Sequence, residues 1–437
     1  DGIRDVAVTG VQTCALPIYG VFTGLETGVP CGADVVRLPG LTVPGLANVH
    51  SHAFHRALRS RTQVGSGSFW TWREQMYGIA ATLDPDRYLA LARAVYAEMA
   101  LAGITCVGEF HYLHHQPGGV AYDDPNEMSK ALVAAAAEVG VRLTLLDTCY
   151  LHGGIGVEPN DVQRRFSDGS VEQWADRIDA LRVSPGARVG AAIHSVRAVD
   201  PASIGLVSAW AARTGAPLHA HVSEQRAENE QCVEAFGLTP TALLAEHGAL
   251  GPAFTAVHAT HLSGVDIGLL GTSGSSVCMC PTTERDLADG IGPAASLRAA
   301  GSPIVLGSDS HAVIDLFEEA RAVELDERLA TMLRGHHRAT DLLEGATAAG
   351  HRSLGWGDAG RLAVGAVADL VTVRLDSVRT AGLDPDSMLA GVVYGASAAD
   401  VHHVVSAGRV IVADGHHVAI DVVRELSESV LAVVGAS

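Results

Sequence analysis

Basic residues are scarce in this sequence: 30 Lys and Arg stand against 49 Asp and Glu, a formal charge of −19. A nucleic acid or an anionic membrane surface needs a basic patch, so neither is expected as a partner. A small anionic molecule is not excluded, because a few local arginines suffice to hold one. Aromatic residues are also few, 5% of a chain that is 48% hydrophobic, so the core is aliphatic. At 437 residues it can fill one large α/β barrel with an accessory domain, or two to three ordinary domains. No apolar run reaches the length of a membrane span, and no signal peptide is expected. Cysteines number only seven, an odd count mostly inside apolar runs, which points to reduced thiols and a cytoplasmic location. The close pair Cys278-Met279-Cys280 lies in a buried-looking strand and reads as core. A repeat of fixed period is missing too, which excludes a solenoid.

The opening is anomalous. Residues 1–19, DGIRDVAVTGVQTCALPIY, do not connect smoothly to the chain after Tyr19, and the run from Gly10 to Ile18 resembles translated sequencing-adaptor sequence. This segment is expected to be non-native, standing where the first native strands should be, and no function is read from it.

What the chain does have is histidine at the ends of apolar runs. The stretch Leu41-Thr42-Val43-Pro44-Gly45-Leu46-Ala47-Asn48-Val49 ends in His50-Ser51-His52. Period 2 in an extended chain puts His50 and His52 on one face, where two imidazoles can converge on one metal ion. A long aromatic loop around Phe69-Trp70-Thr71-Trp72-Arg73 is expected next, then a helix opened by Asp84 as N-cap and Pro85. Strands are expected at 104–110, 141–149, 188–194, 217–222, 254–258, 275–280 and 304–308, with helical segments between them. Counting the strand that ends in His50-Ser51-His52, that makes eight, the rhythm of a (β/α)₈ barrel. Polar residues cluster where those strands end: Glu109 and His111, His194 and Arg197, His219 and His221, His258, and Ser308-Asp309-Ser310-His311. In a closed barrel these ends form one mouth; in an open sheet they would be strung along an edge. The barrel is therefore the expected fold.

His50, His52, His221 and Asp309 fit a single divalent metal site, zinc first, with a position left for water. Strand four carries no lysine that could be carbamylated to bridge a second ion, so one metal is expected. Asp309 is placed to take a proton from the attacking water. Glu224, three residues beyond His221, can swing over the same pocket as a proton carrier, and His258 can polarise the reacting centre.

The segments HSHAF, FWTWREQMY, EFHYLHH, HSVRAV, HAHVSEQ, VHATHLS, CPTTERDLADG and GSDSH together resemble the amidohydrolase superfamily, in its mononuclear deaminase branch. More closely they resemble the formimidoylglutamate deiminases of histidine degradation, from about Gly40 onward. The resemblance implies metal-dependent release of ammonia from a small anionic amidine, N-formimidoyl-L-glutamate, by a protein for which a homodimer is one option. It also implies a small β-sandwich built from residues 20–40 and 361–437 beside a barrel at 41–360. Arg73, Tyr112 and Arg197 match the family's positions for gripping the substrate's carboxylates. His55 stands where the family usually has glutamine, near the reacting amidine. An imidazole there can gain a proton near pH 6–7 and repel a cationic group. Two other readings are kept: a deaminase or chlorohydrolase of an aminated heterocycle, which would call for aromatic stacking rather than two arginines, and a catalytically inactive barrel serving as a binding module.

Overall fold

The computed structural model describes residues 6–8, 13–27 and 35–435. Its central sheet is built from β1 (Leu46–Ser51), β2 (Ile104–His111), β3 (Arg142–Cys149), β4 (Ala187–Ile193), β5 (Leu218–Val222), β6 (Phe254–His258), β7 (Ser276–Met279) and β8 (Ile304–Leu306). Each strand runs parallel to the next. The seam between β8 and β1 is closed just beyond β8, by the parallel bridge between Ser51 and Asp309. There the Asp309 N–H donates to the His50 carbonyl (3.0 Å) and the His52 N–H to the Asp309 carbonyl (3.2 Å). The result is the expected (β/α)₈ barrel. Strands covered on both faces must be apolar on both, and β2 and β3 are buried at all eight of their positions.

The helix after Asp84 forms as expected, over Pro85–Leu101, with the Asp84 carboxylate accepting the Arg87 N–H at 2.8 Å. The aromatic stretch before it differs from expectation. It is no loop but a helix, α1 (Phe69–Thr82), which buries Phe69, Met76, Ile79 and Ala80 on one side. Its start is fixed by Thr71 Oγ1, which accepts the Ser68 N–H and donates to the Ser68 carbonyl, both at 2.9 Å. The connections after β5 and β7 contain the helices Arg226–Phe236 and Pro281–Asp286. The first buries only Glu228 and Cys232, so it carries no apolar stripe to betray it.

The stretch that ends in His50-Ser51-His52 also breaks in two. Leu41–Pro44 pairs antiparallel with Leu370–Val373 in a second sheet, and only Leu46–Ser51 enters the barrel. Gly45 makes the crossing: any Cβ there would sit 2.3 Å from Thr105 Oγ1 and 2.7 Å from Asp369 Cβ. The second sheet continues through Val401–Ser406, Arg409–Ala413 and His416–His417. A further sheet from the N-terminal part, with Val21–Thr27 and Val36–Arg37 at its edges, packs on it through Ala15, Phe22 and Leu38 against Ala368, Leu370 and Val405. The small β-sandwich is thus assembled from both ends of the chain. Val6–Val8 and Thr13–Ile18, inside the segment expected to be non-native, form its inner strands. Backbone pairing tolerates many sequences, so it does not bear on that segment's origin; residues 1–5 and 9–12 of it lie outside the described residues.

Candidate active site

The C-terminal ends of the strands bring four side chains to one point. His50 and His52 project from the same face of β1, His221 from β5, and Asp309 follows β8. His50 Nε2 lies 3.2 Å from His221 Nε2 and 3.2 Å from Asp309 Oδ1, and His52 Nε2 lies 3.4 Å from the same oxygen. One donor atom from each of the four falls within 4.8 Å of the others, and all four residues are buried. Their orientations are set from behind. His52 Nδ1 donates to the Phe110 carbonyl (2.9 Å) and His221 Nδ1 to the His194 carbonyl (2.8 Å), leaving both Nε2 lone pairs aimed inward. Burial pulls the imidazoles of His50, His52 and His221 below the ordinary histidine range, so they are neutral donors. Burial would raise the Asp309 carboxyl, yet the hydrogen bond from His50 and the surrounding imidazoles hold it well below the usual carboxylate range. Three neutral nitrogens and one carboxylate on a common point are the donor set of a divalent cation.

Two more groups reach this point. His258 Nε2 is 3.8 Å from Asp309 Oδ2 and 3.7 Å from Glu224 Oε1. Burial raises the Glu224 carboxyl above its ordinary value. Behind His258 stands Glu284, its Oε1 3.4 Å from His258 Nδ1 and accepting the Cys280 N–H at 2.9 Å. Glu284 lies in the CPTTERDLADG segment, but nothing in spacing alone tied it to His258. The backbone here is strained: Ser223 (φ 52°), His258 (φ 66°) and Asp309 (φ 42°) all adopt the left-handed conformation that non-glycine residues avoid.

From this centre a cavity opens. Arg73 and Arg197 both line it, although they come from α1 and the turn after β4. Arg73 stacks over Trp70 and Tyr77, with its guanidinium carbon 5.2 and 5.3 Å from their ring centroids. Arg197 is more enclosed, 5.6 Å from the Phe69 centroid and facing Glu224 (3.5 Å) and Glu228 (3.6 Å). Glu228 comes from the helix Arg226–Phe236, and no spacing in the sequence ties it to Arg197. Tyr112 and His55 are also present, bonded to each other: His55 Nε2 and Tyr112 Oη are 2.9 Å apart. The expected protonation of His55 near neutral pH does not hold, because burial pulls its imidazole down to about 3. It is a neutral partner of Tyr112.

The family model described as the amidohydrolase family matches residues 41–411. The chain belongs to the amidohydrolase family. A formimidoylglutamate deiminase from Pseudomonas aeruginosa is 38% identical over 87% of this chain and 86% of its own length. An 8-oxoguanine deaminase from the same species is 30% identical over 89% and 86%. Among solved structures, an amidohydrolase from Brucella melitensis superposes with a TM-score of 0.90 at 32% identity, covering 99% of this chain and 98% of that one. This amidohydrolase is therefore an enzyme, a hydrolase of carbon–nitrogen bonds, and its His/His/His/Asp cluster fits a divalent metal. Among the described residues no helix is long and apolar enough to cross a membrane.

Proposed function

We propose that this amidohydrolase is a deiminase of N-formimidoyl-L-glutamate, releasing N-formyl-L-glutamate and ammonia. The observation that carries the reading is the presence of two guanidinium groups, Arg73 and Arg197, in the same cavity as the His50, His52, His221 and Asp309 cluster. A substrate with two carboxylates at one end and an amidine at the other needs that combination. The relative from P. aeruginosa supports it.

In this reading His50, His52, His221 and Asp309 hold one zinc ion. Lys130, the only lysine in the sequence, sits on the helix Glu127–Val139 paired with Asp124, so no carbamylated lysine bridges a second ion. What the ion supplies when bound is Lewis-acid activation of water near neutral pH. Asp309 accepts the proton of the attacking water, and Glu224 delivers a proton to the departing nitrogen. The formimidoyl C–N bond breaks, a C–O bond forms, and water and the amidinium together give the formyl amide and ammonium. His258, oriented by Glu284, stabilises charge that develops at the reacting carbon's oxygen. Arg73 and Arg197 grip the carboxylates, and the bonded pair Tyr112 and His55 lines the wall between.

A second reading has an observation of its own. Phe69, Trp72, Tyr77, Tyr112, Tyr150 and Phe166 surround the cavity, so aromatic stacking surfaces and arginines occur together. That wall suits an aminated heterocycle, and the 8-oxoguanine deaminase relative supports it. A coupled ammonia assay on N-formimidoyl-L-glutamate and a panel of aminated heterocycles separates the two. The deiminase reading expects turnover of the amidine, with Arg73→Met raising KM about ten- to a hundred-and-fifty-fold, the cost of one charge-assisted contact. Preference for a heterocycle, with no effect of Arg73→Met on the amidine, overturns it.

A further inference from the structure

Behind the metal-ligand cluster, on the far side of the backbone, runs a chain of buried polar side chains that the proposed chemistry does not use. Asn48, Ser51, Glu109, Ser308 and His311 are each 0% exposed. Ser51 lies between His50 and His52 and, by the period of the strand, points away from them. On the other side of the barrel seam Ser308 precedes Asp309 directly and His311 follows it by two residues.

The bonds run in one direction. Glu109 accepts twice, from the Ala53 N–H on Oε1 (2.7 Å) and from the Ser51 hydroxyl on Oε2 (2.7 Å). Having given its only proton to Glu109, Ser51 Oγ can only accept from His311 Nε2, 3.1 Å away. That makes His311 Nδ1 the acceptor in a neutral ring, and the Ser308 hydroxyl donates to it at 3.0 Å. Ser308 Oγ in turn accepts from Asn48 Nδ2 (2.7 Å), while Asn48 Oδ1 takes the Ser308 N–H (2.9 Å). Every hydroxyl and ring nitrogen along the path is paired, Asn48 Nδ2 also reaching Met99 Sδ at 3.7 Å, and the path crosses the seam twice between β1 and the segment after β8. From outside, Arg59 Nε donates to the His311 carbonyl at 2.8 Å while its NH1 is held by Glu98 at 2.8 Å.

The seam needs such a device. Only one backbone bridge joins β1 to the segment after β8, and Asp309 (φ 42°) and His311 (φ 58°) both hold left-handed backbone that must be over-determined to persist. Yet two ligand-bearing segments meet here, separated in sequence by the length of the barrel.

We propose that Asn48, Ser51, Glu109, Ser308 and His311 act as one positioning network that sets metal affinity by fixing Asp309 against His50 and His52. This rests on reading those residues and His221 as metal ligands. The network touches neither substrate nor reacting atoms, so its effect falls on the ion and not on KM.

Ser51→Ala and Ser308→Ala each delete one hydroxyl from opposite ends of the relay. The dissociation constant for zinc, measured by competition with a chromophoric chelator, should rise about ten- to a hundred-fold in each. The melting temperature of the metal-free protein should fall by less than that of the zinc-bound form, and KM at saturating zinc should not change. The double variant should lose no more than the worse single one, because a broken chain cannot be broken again. A zinc constant within about twofold of native in both variants overturns the proposal. So do losses that multiply in the double variant, or losses matched by an equal fall in metal-free stability. Ser308→Ala alone decides the matter if Ser51→Ala yields no folded protein. A native chain that binds no zinc would overturn the metal reading and this proposal together, whereas failure to turn over formimidoylglutamate leaves it standing.

Discussion

The barrel buries a charged cluster at each end, and the two are handled in opposite ways. At the bottom, Arg142 meets Asp369 face to face, with NH1 donating to Oδ1 at 2.9 Å and NH2 to Oδ2. The same carboxylate accepts the Thr105 hydroxyl (3.0 Å) and the Ala407 N–H (2.8 Å), so four donors satisfy it. At the mouth, the shortest contacts between Asp309, His50 and His52 are 3.2 and 3.4 Å, and Glu224 and His258 stand 3.7 Å apart. His50 Nδ1 and His258 Nε2 are buried with no hydrogen-bond partner. Burying an unmatched polar group costs free energy, and a protein keeps such groups where a ligand completes them. One end joins the barrel to the sandwich; the other is poised for an ion and a substrate.

The sharpest way to break this contrast is at the mouth. His221→Ala removes one of four donors, and loss of both bound zinc and ammonia release is expected, measured by elemental analysis and the coupled assay. Two tightly bound ions per active native chain would sink the single-metal reading. Glu224→Gln keeps the shape and the ion but removes the proton carrier. Turnover should fall about a hundred- to ten-thousand-fold with zinc content unchanged. Near-normal turnover would rule Glu224 out as the carrier.

At the bottom the same kind of change should act on stability alone. Asp369→Asn leaves the Arg142 guanidinium buried without its countercharge, at a cost of about 3–5 kcal/mol in unfolding free energy. Turnover per folded, metal-loaded chain should hold. Burial would raise the Asp369 carboxyl, but Arg142 holds it well below the usual carboxylate range, so its folded pKa is depressed. Its contribution is therefore present in full above the unfolded value of about 4 and is lost as pH falls toward the folded one. Denaturant titrations of native and variant chains should differ at pH 7 and converge in strong acid. A gap that persists unchanged to low pH would show that the pair contributes through packing instead.

The two ends were not equally legible in the sequence. The mouth announces itself, because His50, His52, His221, His258 and Asp309 each follow an apolar run, and polar residues ending successive strands have few structural uses. The bottom is silent: Arg142 opens a strand and Asp369 precedes one, 227 positions apart, and only folding reveals that they meet. Helix α1 was missed because Phe69 to Trp72 reads as an aromatic loop until the Ser68–Thr71 cap and its packing against the cavity are seen. The sheet switch at Gly45 was hidden in an unbroken apolar run, since Leu41 to Val49 suits either sheet. Glu284 and Ser51 stood inside recognised motifs without a role, because their partners His258 and His311 come from other strand ends.

His55 offers the smallest expected effect and tests whether burial governs the mouth. Its ring lies 4.5 Å from that of His52 and 5.1 Å from that of Trp72, and Nε2 is bonded to Tyr112 Oη. With the imidazole pulled down to about 3 by burial, it is neutral throughout the range in which enzymes of this kind are assayed. His55→Gln replaces one neutral group by another. The amide can keep a bond to Tyr112, so turnover should change by less than about fivefold, roughly 1 kcal/mol. More telling is the pH profile. A group that ionises only near pH 3 cannot shape the rate between pH 5 and 8, so the acid limb of kcat/KM should coincide in the two proteins. If the glutamine variant flattens that limb, His55 titrates in the native enzyme, and the contrast between a mouth short of partners and a fully paired carboxylate at the base fails at the mouth.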